Sequence, residues 1–209
     1  MSAPSRELPI DPAHAALLII DVQNYCAGAK AEKSEYFLRS LRDTVLPNVR
    51  RLQFACRGAG IEVIYSVIEN MTRDGRDRSL DYKISGIDVP RGSSDAQVLD
   101  EIAPAEDEMV FRKTSSNLFI STNIDYVLRN LGVRSLIIAG IMTDQCVESA
   151  VRDACDLGYL VTVVIDACTT TSAERHEQSL IGIGGYCRQR TSDFLVAEIS
   201  ALNSSNQSD

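Results

Sequence analysis

One pattern recurs along this chain and leaves few folds open to it: a short, unbroken apolar run, a polar turn, then a stretch with apolar residues at helical spacing. Residues 15–20 (AALLII) show no alternation, which is the mark of a strand buried on both faces, and Asp21 closes the run. Phe37, Leu38, Leu41, Val45, Val49, Leu52 and Ala55 then recur at near-helical spacing across 34–58, with Pro47 an expected kink and Gly58 and Gly60 the stop. Residues 61–67 read as a second strand, 69–92 as a long polar loop, 109–111 as a short third strand. A helix begins near Thr122 and closes at Gly132. Strand 135–139, helix 143–157, strand 159–165 before Asp166, a helix over 174–183 and a last strand near 194–197 complete the order.

Such alternation predicts an α/β fold: a doubly wound, mostly parallel sheet with helices on both faces. Ligands of such sheets bind beyond the carboxyl ends of the strands, and Asp21, Lys113 and the segment 140–146 all fall at such ends. The 209 residues suit one domain, taken as 1–200, followed by a polar tail, 201–209, expected to be disordered.

Composition narrows the function. A net charge of −8 opposes nucleic-acid binding, and Arg73, Arg76 and Arg78 are interleaved with Asp74, Asp77 and Asp81, so they make no basic stripe. No run approaches the roughly 20 apolar residues of a membrane span, and residues 1–11 lack the apolar core of a signal peptide, so a cytoplasmic location is expected, with no membrane partner. The six cysteines are widely spaced and are expected as thiols. With only two histidines, His14 and His176, and no C-x-x-C pair, no metal and no cofactor is expected, and chemistry falls to carboxylate, lysine and thiol.

Cys146 lies in the first turn of a helix just after a buried strand, where free amides and the helix dipole would lower a thiol pKa from about 8.5. The plain alternative is a small buried side chain. Lys113, at a strand end on the same edge, is either a solvated charge or a stabiliser of a thiolate. Asp21 either caps a turn or exchanges a proton with the thiol.

Together these residues resemble the isochorismatase-like cysteine hydrolases. The likeness rests on 17–24 (LLIIDVQN), on Lys113 followed by Phe119 and Thr122, and on 138–147 (IAGIMTDQCV), and it continues through Ala150, Ala154, Gly158 and Asp166. The resemblance implies a Rossmann-like three-layer sandwich, a catalytic triad of Asp21, Lys113 and Cys146, a cis peptide at Ile141–Met142, and an oxyanion hole from the Met142 and Cys146 amides. It implies hydrolysis of a carbon–nitrogen bond in a small amide or ureide by way of a thioester or thiocarbamate. Gln23, Tyr25, Cys26, Glu69, Asn70 and Phe119 would line the substrate, and the protein would be a homo-oligomer, dimer or tetramer.

Departures from the family pattern bear on the substrate. Tyr25 and Cys26 stand where many members carry an acid and an aromatic residue, so the pocket wall differs. The histidines that hold a metal in nicotinamidases have no counterpart between His14 and His176, which counts against nicotinamide. The cysteine counts against the vinyl-ether cleavage of isochorismatases proper. A catalytically silent binding or scaffold protein on the same fold is the rival reading. A dinucleotide enzyme is disfavoured because no G-x-G-x-x-G follows the first strand, Gly182-Ile-Gly-Gly185 lying within or after a late helix.

Overall fold

The computed structural model describes residues 5–27 and 34–206. Its strands are β1 (Ala15–Ile20), β2 (Glu62–Ile68), β3 (Met109–Lys113), β4 (Ser135–Ile141), β5 (Leu160–Thr169) and β6 (Arg188–Arg190). They form one sheet in the order β3-β2-β1-β4-β5-β6, with every neighbouring pair parallel. The helices are α1 (Asn24–Ala27), α2 (Glu35–Ser40), α3 (Leu46–Gly58), α4 (Leu80–Ile84), α5 (Leu118–Ser121), α6 (Ile124–Asn130), α7 (Glu148–Asp156), α8 (Ala173–Ile183) and α9 (Ser192–Asn206).

The apolar run of β1 is buried throughout because both faces of the strand are covered. Ala15, Leu17 and Ile19 meet Val49, Leu52 and Cys56 of α3 and Leu195 and Ile199 of α9. Ala16, Leu18 and Ile20 meet Ile124 and Leu128 of α6 and Val151 and Ala154 of α7. The sheet grows outward from β1 in one direction to β3 and from β4 in the other to β6, so the chain's progression reverses between β1 and β4. In open parallel sheets, ligands bind at the carboxyl ends of the strands at such a switch. Asp21 leaves β1 there, and the turn bearing Cys146 follows β4.

Several sequence expectations change in detail. The last strand is not 194–197, which lies inside α9, but the short polar β6. A four-residue apolar run does not tell a strand from a helix, and here Leu195 and Ile199 are both buried, four residues apart on one helical face. Arg188, 3% exposed, is tolerated in a strand because its guanidinium makes two bonds to Glu198 at 3.0 and 3.1 Å and one to Thr162 Oγ1 at 3.0 Å. Glu198→Gln, which leaves that cation short of its carboxylate, is expected to lower unfolding free energy by about 3 kcal/mol in a urea titration. An unchanged midpoint would show that Thr162 alone suffices.

Pro47 follows a π-helical turn, Leu41–Val45, instead of breaking the helix. The extra residue in that turn relieves the proline ring, which has no N–H and crowds the carbonyl one turn back. The loop 69–92 contains α4, and β3 and β5 extend beyond the expected limits to Lys113 and Thr169. The expected tail is helical to Asn206, while 207–209 lie outside the described residues. No helix is long and apolar enough to cross a membrane among the described residues.

Candidate active site

Asp21 takes a left-handed backbone, φ 55°, which an aspartate accepts more readily than most residues. Its N–H donates to the Ser66 carbonyl at 3.0 Å, and its Oδ1 accepts the Ser66 hydroxyl at 2.9 Å. β2 therefore fixes both the backbone and the side chain at the end of β1. On the other side of β1, Gly140 has φ 125°, and a Cβ built there would stand 2.2 Å from the Ile20 carbonyl oxygen. Gly140→Ala is accordingly expected to push β4 away from Asp21, with loss of thermal stability and of any activity together. Retention of both would mean that β4 can shift without consequence.

Lys113, the last residue of β3, is fully buried. Its Nζ lies 2.9 Å from Asp21 Oδ2, 3.3 Å from Cys146 Sγ, 2.8 Å from the Ser115 carbonyl and 3.1 Å from the Tyr82 hydroxyl. The peptide Ile141–Met142 is cis, and a π-helical turn, Thr143–Val147, follows it. The Met142 carbonyl accepts the N–H groups of Gln145 and Val147 at 3.1 and 3.2 Å, so the turn is wound about that carbonyl. α8 holds the turn from outside. His176 Nδ1 meets Thr143 Oγ1 at 2.8 Å, Ser179 donates to the Thr143 carbonyl at 3.1 Å, and Arg175 pairs with Asp144.

The electrostatics overturn one expectation. Placement in a helical turn was to lower the Cys146 pKa; instead burial, reinforced by the Asp21 carboxylate, pushes the thiol up to about 12 against the opposing pull of Lys113. Burial would by itself lower the Lys113 pKa, but Asp21 and the other groups facing it raise it well above the usual lysine range. The centre at rest is a protonated lysine beside a protonated thiol. Asp21 Oδ2 is buried and, apart from the ion pair to Lys113, has no aligned hydrogen bond among the described residues, which leaves it open to the thiol proton.

The remaining candidates divide. Gln23 is fully engaged in the scaffold: its amide nitrogen donates to the carbonyls of Ile68 and Asp95 at 3.0 and 2.9 Å, and its oxygen accepts the Ile68 N–H at 2.6 Å. Glu69 pairs with Arg112 at 2.5 Å and accepts the Gly92 N–H at 2.7 Å, and Asn70 donates to Asp88 at 2.6 Å. Cys26 is buried in the core cluster that contains Leu17 and Ile19, against which Tyr25 packs, whereas Cys146 belongs to the other core cluster. Phe119 shares the Cys146 cluster, its ring 6.2 Å from that of Tyr159.

Two neighbours of the triad escaped the sequence reading. Ser66 had a legible signal, a lone hydroxyl inside an apolar strand, next to the end of the adjoining β1; Tyr82 had none, since nothing in the loop says which residue turns inward. None of the six cysteines is in a disulfide. No group of three or more His, Cys, Asp or Glu is placed to hold a metal among the described residues.

The family model described as the isochorismatase domain matches residues 15–192. A ureidoacrylate amidohydrolase (RutB) from Agrobacterium fabrum is 30% identical over 80% of this chain and 82% of its own length. That of an Enterobacter species is 31% identical over 75% of each. Among solved structures, a cysteine hydrolase from Pseudomonas syringae pv. phaseolicola superposes with a TM-score of 0.83 at 25% identity, over 96% of this chain and 99% of that one. The chain belongs to the isochorismatase family of hydrolases.

Proposed function

We propose that the protein is a cysteine-dependent amidohydrolase acting on the carbon–nitrogen bond of a small amide or ureide. The observation that carries this reading is the Lys113 ammonium held 2.9 Å from Asp21 and 3.3 Å from Cys146 inside the fold. A solvated scaffold surface has no use for three ionisable groups buried together, since each costs several kcal/mol to desolvate unless the others compensate it. The ureidoacrylate amidohydrolases among the relatives support the bond type.

In this mechanism Asp21 takes the thiol proton as Cys146 Sγ attacks the carbonyl carbon, so no free thiolate needs to accumulate. Lys113 remains protonated and stabilises the negative charge as it passes from Asp21 to sulfur to the carbonyl oxygen. The Met142 and Cys146 amides hold that oxygen. Asp21 returns the proton to the leaving nitrogen, the carbon–nitrogen bond breaks, and ammonia or an amine departs to leave a thioester or thiocarbamate on Cys146. Water then gives one proton to Asp21 as its oxygen bonds to carbon, the carbon–sulfur bond breaks, and Asp21 returns the proton to sulfur.

Ammonia release from N-carbamoylglycine, N-carbamoyl-β-alanine, acetamide and nicotinamide tests the reading. The carbamoyl compounds are expected to exceed nicotinamide at least about tenfold in kcat/KM, a preference that the ureidoacrylate amidohydrolases among the relatives support. Nicotinamide as the better substrate would overturn the ureide assignment.

A further inference from the structure

Tyr82 belongs to none of the motifs that the triad accounts for, yet it is 1% exposed and lies against Lys113. An ammonium group only donates, so in the 3.1 Å contact the phenolic oxygen of Tyr82 accepts. A phenol carries one hydrogen of its own. Among the described residues nothing accepts the Tyr82 hydrogen: its contact with Lys113 is the one bond its hydroxyl makes. Burial outweighs the pull of Lys113 and holds the phenol above its ordinary pKa, so the hydrogen stays in place.

The segment around it makes this omission stand out. Asp77 accepts the N–H groups of Met71 and Thr72, Arg78 donates to the carbonyls of Gly75 and Ile87, and Lys83 donates to that of Arg76. The loop's polar groups close on one another, and a buried donor left without an acceptor costs about 1–3 kcal/mol. The position of Tyr82 is nonetheless well fixed. Ser79 caps α4 by accepting the Tyr82 N–H at 3.1 Å, and the Ser79 N–H donates to the carbonyl of Thr114, the residue after Lys113, at 2.9 Å. The phenolic oxygen lies 3.1 Å from the Lys113 ammonium, which is itself 3.3 Å from Cys146 Sγ, so it stands at the centre where a substrate carbonyl must sit to be attacked.

We propose that Tyr82 donates its unused hydroxyl hydrogen to the carbonyl oxygen of the carboxamide or carbamoyl group under attack, as a substrate-contacting donor beside the backbone amides. The inference rests on the hydrolase reading and adds a specificity to it: the group attacked must offer an oxygen acceptor, not sulfur.

The test compares the wild type with Tyr82→Phe, and with Tyr82→Met should the first fail to fold, on the best carbamoyl substrate of the four-compound panel and on its thiocarbamoyl counterpart, whose sulfur accepts hydrogen bonds poorly. The phenylalanine variant is expected to lose about a hundredfold in kcat/KM on the oxygen substrate, mostly in kcat, and less than threefold on the sulfur one. An equal loss on both would show that Tyr82 acts only by positioning Lys113, and no loss on either would show that it does neither; both overturn the assignment and leave the hydrolase reading standing. A wild-type protein inactive on the whole panel overturns that reading and this assignment with it.

Discussion

Lys113→Ala is expected to abolish turnover and to cost about 3–5 kcal/mol of stability. Asp21 and Lys113 are 1% and 0% exposed in their side chains, and the lysine is the only cation paired with that carboxylate among the described residues. Removing it leaves the buried Asp21 carboxylate with only the Ser66 hydroxyl and the neutral Cys146 thiol beside it and no compensating charge. The double variant Asp21→Asn, Lys113→Met removes both charges and is expected to recover most of the lost stability while remaining inactive. A single Lys113→Ala protein as stable as the wild type would mean that the pair is hydrated in solution, and the electrostatic account of the site would fail.

Asp21→Asn is expected to separate thiol reactivity from catalysis, in opposite directions. Asparagine keeps the shape and tolerates the left-handed backbone at φ 55°, but it can neither take the thiol proton nor return it to a leaving nitrogen, so turnover falls at least about a thousandfold. The Asp21 carboxylate also holds the Cys146 pKa up, against Lys113, which lowers it. With the carboxylate gone and the ammonium left, the thiol becomes more acidic, and alkylation of Cys146 by iodoacetamide at pH 8 is expected to be faster than in the wild type. In the wild type the rate should climb steadily as pH approaches the raised thiol pKa, about 12. Slower alkylation in Asp21→Asn would show that the carboxylate activates the thiol at rest instead of suppressing its ionisation.

The sheet was legible because strands buried on both faces must be predominantly apolar, as β1, β2, β4 and the first half of β5 are, with β1 uninterrupted. β6 was hidden because Arg188 is made tolerable by Glu198, whose side chain arrives from α9, and Arg190 pairs with Glu7, partners that leave no mark on the strand's own sequence. Asp21, Lys113 and Cys146 could be named together because their three motifs resemble the isochorismatase-like pattern, and the converging strand ends of a parallel sheet bring them within contact although they are far apart in the chain. The thiol's state was misjudged from local position alone: a helical turn favours a thiolate, but the depth at which Cys146 is buried and the carboxylate beside it are tertiary facts. Glu69 and Asn70 were expected to line the substrate, whereas Asn70, Asp77 and Arg78 are engaged within the loop and Tyr82 is the loop residue whose side chain reaches the Lys113 ammonium.

The most direct measurement is ammonia release by the wild type and by Cys146→Ala, side by side on the same carbamoyl substrate. The small thiol contributes little to the core next to its part in the reaction, so the variant should keep the wild-type circular dichroism spectrum and lose at least about a thousandfold in kcat/KM. A folded Cys146→Ala protein that retains turnover within tenfold of the wild type would contradict the covalent mechanism.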